Sequence, residues 1–258
     1  MSQLTRFPII KPFVKNLDKD TEKFGLQQAM MNTAVRSGTK LIIEGLNKDT
    51  EKVLKNERVV LVANHPHEVD ILALFASLPS RPDTSLIISH SFMNLARNID
   101  KHLIPVYVDH HVNDRVSKKI MRKFLKTFHP TPRYSPEVEH ERNIESIKEA
   151  SARVKNGGLI TIFPNPGSDI TKKWYRGVGH LLKGAKTDDK IYVVKSYIEG
   201  TSMMDYLRLI PHAAKLLTPI RITFSEPIEV SSILKKDPKE ITSILEHDYK
   251  DWINSLKN

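Results

Sequence analysis

The sequence predicts an α/β fold: one domain with a mixed, mainly parallel sheet flanked by helices, and a short helical region at the N-terminus. Three observations predict it. Short β-branched runs, of which 58–63 (RVVLVA) is the strongest, alternate with segments of helical periodicity. The 258 residues are 40% hydrophobic and 27% charged, enough to bury a full core. Internal repeats and low-complexity tracts are absent, so the alternation belongs to one folding unit.

The elements follow in order. Residues 21–37 carry a helical pattern, and 39–44 (TKLIIE) read as a strand. Residues 48–55 are polar and suit a turn or a helix. The run 58–63 is apolar without alternation, the pattern of a strand buried on both faces. Residues 71–78 read as a helix, 85–88 and 104–108 as strands, and 116–128 as a helix. The stretch 129–139 (HPTPRYSPEVE) holds three prolines and reads as a surface excursion. A helix over 143–155 ends at Gly157-Gly158, as a glycine C-cap would end it. Residues 159–163, 191–197 and 221–224 are strands, and 238–256 a closing helix. The division expected is 1–38 for the N-terminal helical region and 39–258 for the main domain.

Composition narrows the chemistry. The chain has no cysteine, so disulfides, a thiol nucleophile and a Cys-ligated zinc are all excluded. Its first twenty residues lack the continuous apolar core of a signal peptide. No stretch approaches the roughly 20 apolar residues of a spanning helix. A cytoplasmic protein that meets membranes only at their surface is the expectation. The net charge of +10 suits an anionic lipid surface, an acidic carrier protein or nucleic acid. Residues 115–126 (RVSKKIMRKFLK) would form a basic amphipathic helix, able to lie on lipid or simply to pack its apolar stripe.

Two segments carry candidate chemistry. The strongest strand runs into Asn64-His65-Pro66-His67-Glu68-Val69-Asp70. A histidine leaving a buried strand stands at its carboxyl end, where ligands gather in α/β sheets. Residues five apart do not share a helical face, so the turn at Pro66 must bring His65 and Asp70 together. A carboxylate on one ring nitrogen leaves the other free to take a proton from an alcohol. The alternative is a core histidine and an Asp70 that merely caps a helix. The second segment is the 159–168 strand and its Pro/Gly turn, followed by Lys172, Lys173 and Arg176. Backbone N–H groups and cations there suit a phosphate or an oxyanion.

These residues resemble the glycerolipid acyltransferases typified by 1-acylglycerol-3-phosphate acyltransferase. The first motif of that family, N-H-x-x-x-x-D after an apolar strand, is matched by Asn64, His65 and Asp70. Its second motif ends an apolar strand in an acceptor-binding arginine; residues 104–110 resemble it with His110 in the arginine's place and His111 or Arg115 nearby. The third, F-P-E-G-T-R, is matched at Phe163 and Pro164, with Asn165 at the glutamate and Gly167-Ser168 displaced by Pro166. The later F-K-x-G segment resembles 174–177, and the fourth motif resembles 192–195 without its proline. The similarity covers about residues 39–230. It implies an acyltransferase-like fold and O-acyl transfer from acyl-CoA or acyl carrier protein to a glycerolipid or lysophospholipid-like acceptor. His65 would be the base and Asp70 its partner. Asn64, His110, Arg115, Phe163, Pro164, Asn165, Gly167, Ser168, Lys172, Lys173 and Arg176 would hold substrate. No metal or bound cofactor is implied, and the partners would be the acyl donor, the lipid acceptor and an anionic membrane surface, not nucleic acid.

Two rival readings use the same residues. A metal-dependent hydrolase or phosphoesterase would draw on His65-x-His67 or on Asp109-His110-His111, but further ligands at recognisable spacing are missing. A basic lipid-binding protein without catalysis explains the charge but not the spacing of Asn64, His65 and Asp70.

Overall fold

The run Arg58–Ala63 forms strand β2, and every residue from Val59 to Ala63 is buried. It lies between two parallel neighbours, β5 (Leu159–Ile162) and β6 (Ile191–Glu199). That central position is why its sequence does not alternate: both faces meet apolar layers. The computed structural model describes residues 10–67, 69–94, 96–107, 134–165 and 170–257. Within them the remaining strands are β1 (Leu41–Glu44), β3 (Thr84–Ser89), β4 (Leu103–Val106), β7 (Ile220–Phe224) and β8 (Ile228–Glu229). The sheet order is β1-β7-β6-β2-β5-β3-β4, with β8 also on β6. Only the pairings of β6 with β7 and with β8 are antiparallel. The predicted mainly parallel α/β sheet is thus the one observed.

Two apolar layers sandwich the sheet. Val59, Leu61 and Ala63 point to one that holds the helices Leu26–Ser37 (α2) and Asp70–Ser77 (α4). Val60 and Val62 point to the other, formed with the helices Pro136–Lys155 (α6), Gly177–Ala185 (α7) and Pro238–Leu256 (α8). The first helix, α1 (Ile10–Phe24), contributes Val14 and Leu17 to the first layer. Each such side chain, fully buried, contributes about 1.5–3 kcal/mol.

Several boundaries differ from the sequence reading. The N-terminal helix expected over 21–37 is two helices, because Gly25 takes φ +83 between them. The stretch read as an excursion over 129–139 becomes helix α6 at Pro136: Ser135 caps it and proline occupies its first turn. The polar segment 48–55 is the helix Lys48–Asn56 (α3), its start capped by Asn47. Helix α7 and strand β8 were not anticipated, nor was the short helix Arg97–Asp100 (α5). The helix expected over 116–128 lies outside the described residues.

Candidate active site

Strand β2 delivers Asn64 and His65 to the carboxyl rim of the sheet. Asn64 is buried and clasps the neighbouring strand: its Nδ2 donates to the Ile198 carbonyl at 2.9 Å, and the Ile198 N–H donates to its Oδ1 at 2.8 Å. Both amide functions are thereby engaged by backbone, which makes Asn64 the clamp that fixes where His65 leaves the sheet.

Asp70 opens helix α4 and is fully buried. Its Oδ2 accepts the His67 N–H at 2.6 Å, closing the turn that Pro66 begins. A carboxylate in a helix's first turn also suits the positive end of the helix dipole. His65 Nδ1 lies 3.5 Å from the same Oδ2. This is an ion-pair distance rather than a formed hydrogen bond, and both His65 Nδ1 and Asp70 Oδ1 are buried without a hydrogen-bond partner. Catalytic contacts in unliganded enzymes are commonly this long and tighten on substrate binding. The imidazole packs face to face on Phe163, with centroids 4.5 Å apart and planes 20° apart. Phe163 comes from the end of β5, so the two central strands supply the two rings.

Beyond Phe163, the chain folds back on itself. Pro164 is buried, and its carbonyl accepts the Tyr175 N–H at 3.0 Å. Asn165 Nδ2 donates to the Lys172 carbonyl at 3.3 Å. Residues 164–165 and 172–175 are therefore brought together. The cations are less convergent: Lys172, Lys173 and Arg176 are all exposed, and the Asp237 carboxyl, held below its usual range chiefly by the Glu240 N–H, has Arg176 as a minor contributor. His110, Arg115, Gly167 and Ser168 lie outside the described residues.

The sequence reading placed its second motif, 104–110, at the far end of this rim but did not anticipate His90, Tyr134 or Arg142 there. Register places His90 after β3 and Tyr107 after β4, level with the ends of β5 and β2. The His90 and Tyr107 rings stack at 4.7 Å. Arg142, on the first turns of α6, donates from Nη1 to the Tyr107 hydroxyl at 3.0 Å and stands 3.9 Å over the Tyr134 ring. Asn143 beside it brackets the Tyr107 backbone with two bonds of 2.7 Å. The available signal was the helix running back toward the rim; starting it at Asn143 placed Arg142 outside it. Among the described residues, no three His, Cys, Asp or Glu side chains gather as a metal site would need, and no helix is long and apolar enough to cross a membrane.

The architecture is similar to that of a solved acyltransferase. The crystal structure of the 1-acyl-sn-glycerophosphate (LPA) acyltransferase PlsC from Thermotoga maritima superimposes with a TM-score of 0.54, at 15% identity, over 96% of this chain and 88% of that one. No curated protein sequence matches the chain. The family model described as Acyltransferase matches residues 46–198, a span that contains the His65–Asp70 turn, the Phe163 strand end and the Ile198 clamp. With more than half its length inside that model, the chain belongs to the acyltransferase family and is an acyltransferase.

Proposed function

We propose that this acyltransferase moves a fatty acyl group from a thioester, acyl-CoA or acyl carrier protein, to a hydroxyl of a glycerolipid or lysophospholipid-like acceptor. The observation that carries the reading is the buried Asp70 carboxylate facing His65 Nδ1, with the ring stacked on Phe163. Asp70 holds the proton on Nδ1, and Nε2 is then the basic nitrogen. Nε2 removes the acceptor hydroxyl's proton as the oxygen attacks the thioester carbonyl. The tetrahedral intermediate collapses, the C–S bond breaks, and the thiolate leaves with the proton returned from the imidazolium. Asp70 stabilises that imidazolium while it exists.

The test is thiol release from acyl-CoA and from acyl carrier protein, with lysophosphatidic acid, glycerol 3-phosphate and lysophospholipids as acceptors. Acceptor-dependent release should fall at least 10²-fold in His65→Ala, the low end for a lost general base. Release that persists undiminished in a folded His65→Ala protein would refute the assignment.

The lipid acceptor also implies work at a membrane surface. Support comes from the adjoining turns Met203–Leu209 and Ala213–Leu216, where Met204 is 60% and Leu216 98% exposed beside exposed Lys215. Apolar tips beside a lysine suit an anionic interface. Vesicles containing anionic lipid should float the wild-type protein and leave Met204→Ser/Leu216→Ser behind; equal flotation of both would remove this surface from consideration.

A further inference from the structure

Helix α8 reaches the catalytic rim through one phenol. Tyr249 is 3% exposed, and its ring packs against those of Trp174 and Trp252, with centroids 5.2 and 5.8 Å away. Its hydroxyl donates to the Ser196 carbonyl at 2.8 Å. Ser196 is fully buried and stands opposite Ala63 in the last rung of the β2–β6 ladder. The N–H of the next residue, Asn64, acts on the same phenol oxygen: burial pushes the Tyr249 pKa up, and this N–H opposes it. The hydroxyl therefore sits where the ladder ends, beside the residue that precedes His65.

The same helix holds the other half of the site. The Trp174 N–H donates to Glu246 Oε2 at 3.2 Å, and Lys250 Nζ donates to the Thr171 carbonyl at 3.1 Å and to Glu246 Oε1 at 2.6 Å. Trp174 precedes Tyr175, whose N–H returns to the Pro164 carbonyl next to Phe163. Glu246, Tyr249 and Lys250 are neighbours on one face of α8, three and four residues apart. That face fastens both strand exits, the one that carries His65 and the one that carries the ring stacked on it. It lies outside the span 46–198 that the family model matches.

We propose that Tyr249 is a positioning residue for His65: its hydroxyl locks the exit of β2 onto β6 and so aligns the imidazole with Asp70 and Phe163. The inference rests on the role of His65 as base proposed above. The Asn64 side chain ties this exit to Ile198, and the Tyr249 hydroxyl ties its backbone to Ser196. The alignment has little slack, since His65 Nδ1 already stands 3.5 Å from Asp70 Oδ2. A displacement of about 1 Å at a reacting group costs up to about 10²-fold in rate. Phenylalanine at 249 keeps the ring packing but takes the hydroxyl from a buried carbonyl that solvent does not reach. The strand exit then shifts to recover a partner, and His65 shifts with it.

The test separates alignment from stability. In Tyr249→Phe, kcat for thiol release should fall about tenfold, with KM for donor and acceptor unchanged. Ile241→Val truncates a fully buried side chain earlier in α8, away from the strand exits, and is the control. It should lower the melting temperature and leave kcat at the wild-type value. Unchanged kcat in Tyr249→Phe overturns the proposal, and so does a loss of kcat in Ile241→Val that matches its loss of melting temperature. Histidine-selective NMR judges the same point without turnover. The His65 ring signal, assigned by its loss in His65→Ala, is displaced by the Phe163 face beneath it. In Tyr249→Phe it should move toward its position in Phe163→Leu, while the His102 signal at the far end of the sheet stays in place. A His65 signal that does not move overturns the proposal. Should Tyr249→Phe fail to fold, amide exchange in the wild type takes its place: the Asn64 N–H should exchange as slowly as that of Val62, and exchange about 100-fold faster overturns the proposal. If His65→Ala transfers acyl groups as wild type does, the base assignment fails, while the ring signal still judges Tyr249.

Discussion

Asn64 and Ile198 exchange two hydrogen bonds across the junction of β2 and β6, one in each direction, at 2.9 and 2.8 Å. The residue that begins the motif is thus a carpenter's joint for the histidine beside it. Asn64→Ala leaves the Ile198 N–H and carbonyl buried and unpaired, which costs about 2 kcal/mol. Urea unfolding should register that loss. Thiol release should fall as well, because the β2 exit no longer fixes the His65 backbone. A variant as stable and as active as wild type would show that the strand end holds without the clamp.

Phe163 sets the plane of the His65 ring. Phe163→Leu keeps an apolar side chain but removes the stacked face, an interaction of about 0.5–1.5 kcal/mol beyond area burial. If that energy fixes the ring for proton transfer, kcat should fall about 2- to 10-fold, well short of the His65→Ala loss. Steady-state kinetics on both variants makes the comparison. A Phe163→Leu loss as deep as that of His65→Ala would mean that the ring does more than orient the imidazole.

The strands were legible because burial leaves a direct trace in sequence. The β-branched run of β2 and the apolar starts of β5 and β6 follow from their being covered on both faces. The His65–Asp70 pair was legible because a strand, a proline turn and a helix start leave few other arrangements. Helix α7 (GVGHLLKGA) was hidden by its glycines, which lower helix propensity; Gly179 is there because a Cβ would run into the Pro238 carbonyl of the adjacent α8. Arg142 was hidden for a different reason. Its partner Tyr107 is 35 residues away and reaches it only through the placement of β4 in the sheet, while Tyr134 stands just before the helix that carries Arg142.

Arg81 ties the opposite end of the sheet together. Its side chain is nearly inaccessible and makes five bonds: two to the Asp83 carboxylate, at 2.6 and 2.9 Å, and three to the carbonyls of Leu54, Glu57 and Gly157. These join the turns leading into β2, β3 and β5. A lysine has one nitrogen and cannot reproduce the planar fork. Arg81→Lys should therefore cost about 2–4 kcal/mol, read as a lower urea midpoint, since one buried and two partly buried carbonyls lose their guanidinium donors. Because the fork lies at the far end of the strands from His65, kcat of the folded fraction should stay near wild type.

His102 makes stability depend on pH. Burial pushes its pKa below the ordinary 6.5, the nearby cations Arg153 and Lys101 add to that, and the bond from Nδ1 to the Thr84 carbonyl at 2.8 Å opposes it. The folded protein therefore binds its proton less readily than the unfolded chain. The stabilisation is fully present above about pH 6.5, where both states are neutral at this ring. It is lost as pH falls through the lower folded pKa, because the unfolded chain takes up the proton first. Urea midpoints measured from pH 8 to pH 5 should decline below about pH 6.5 in wild type. His102→Gln carries no titrating ring, so its curve should be flatter over that interval. Parallel curves for the two proteins would show that the proton taken up on acid unfolding binds elsewhere.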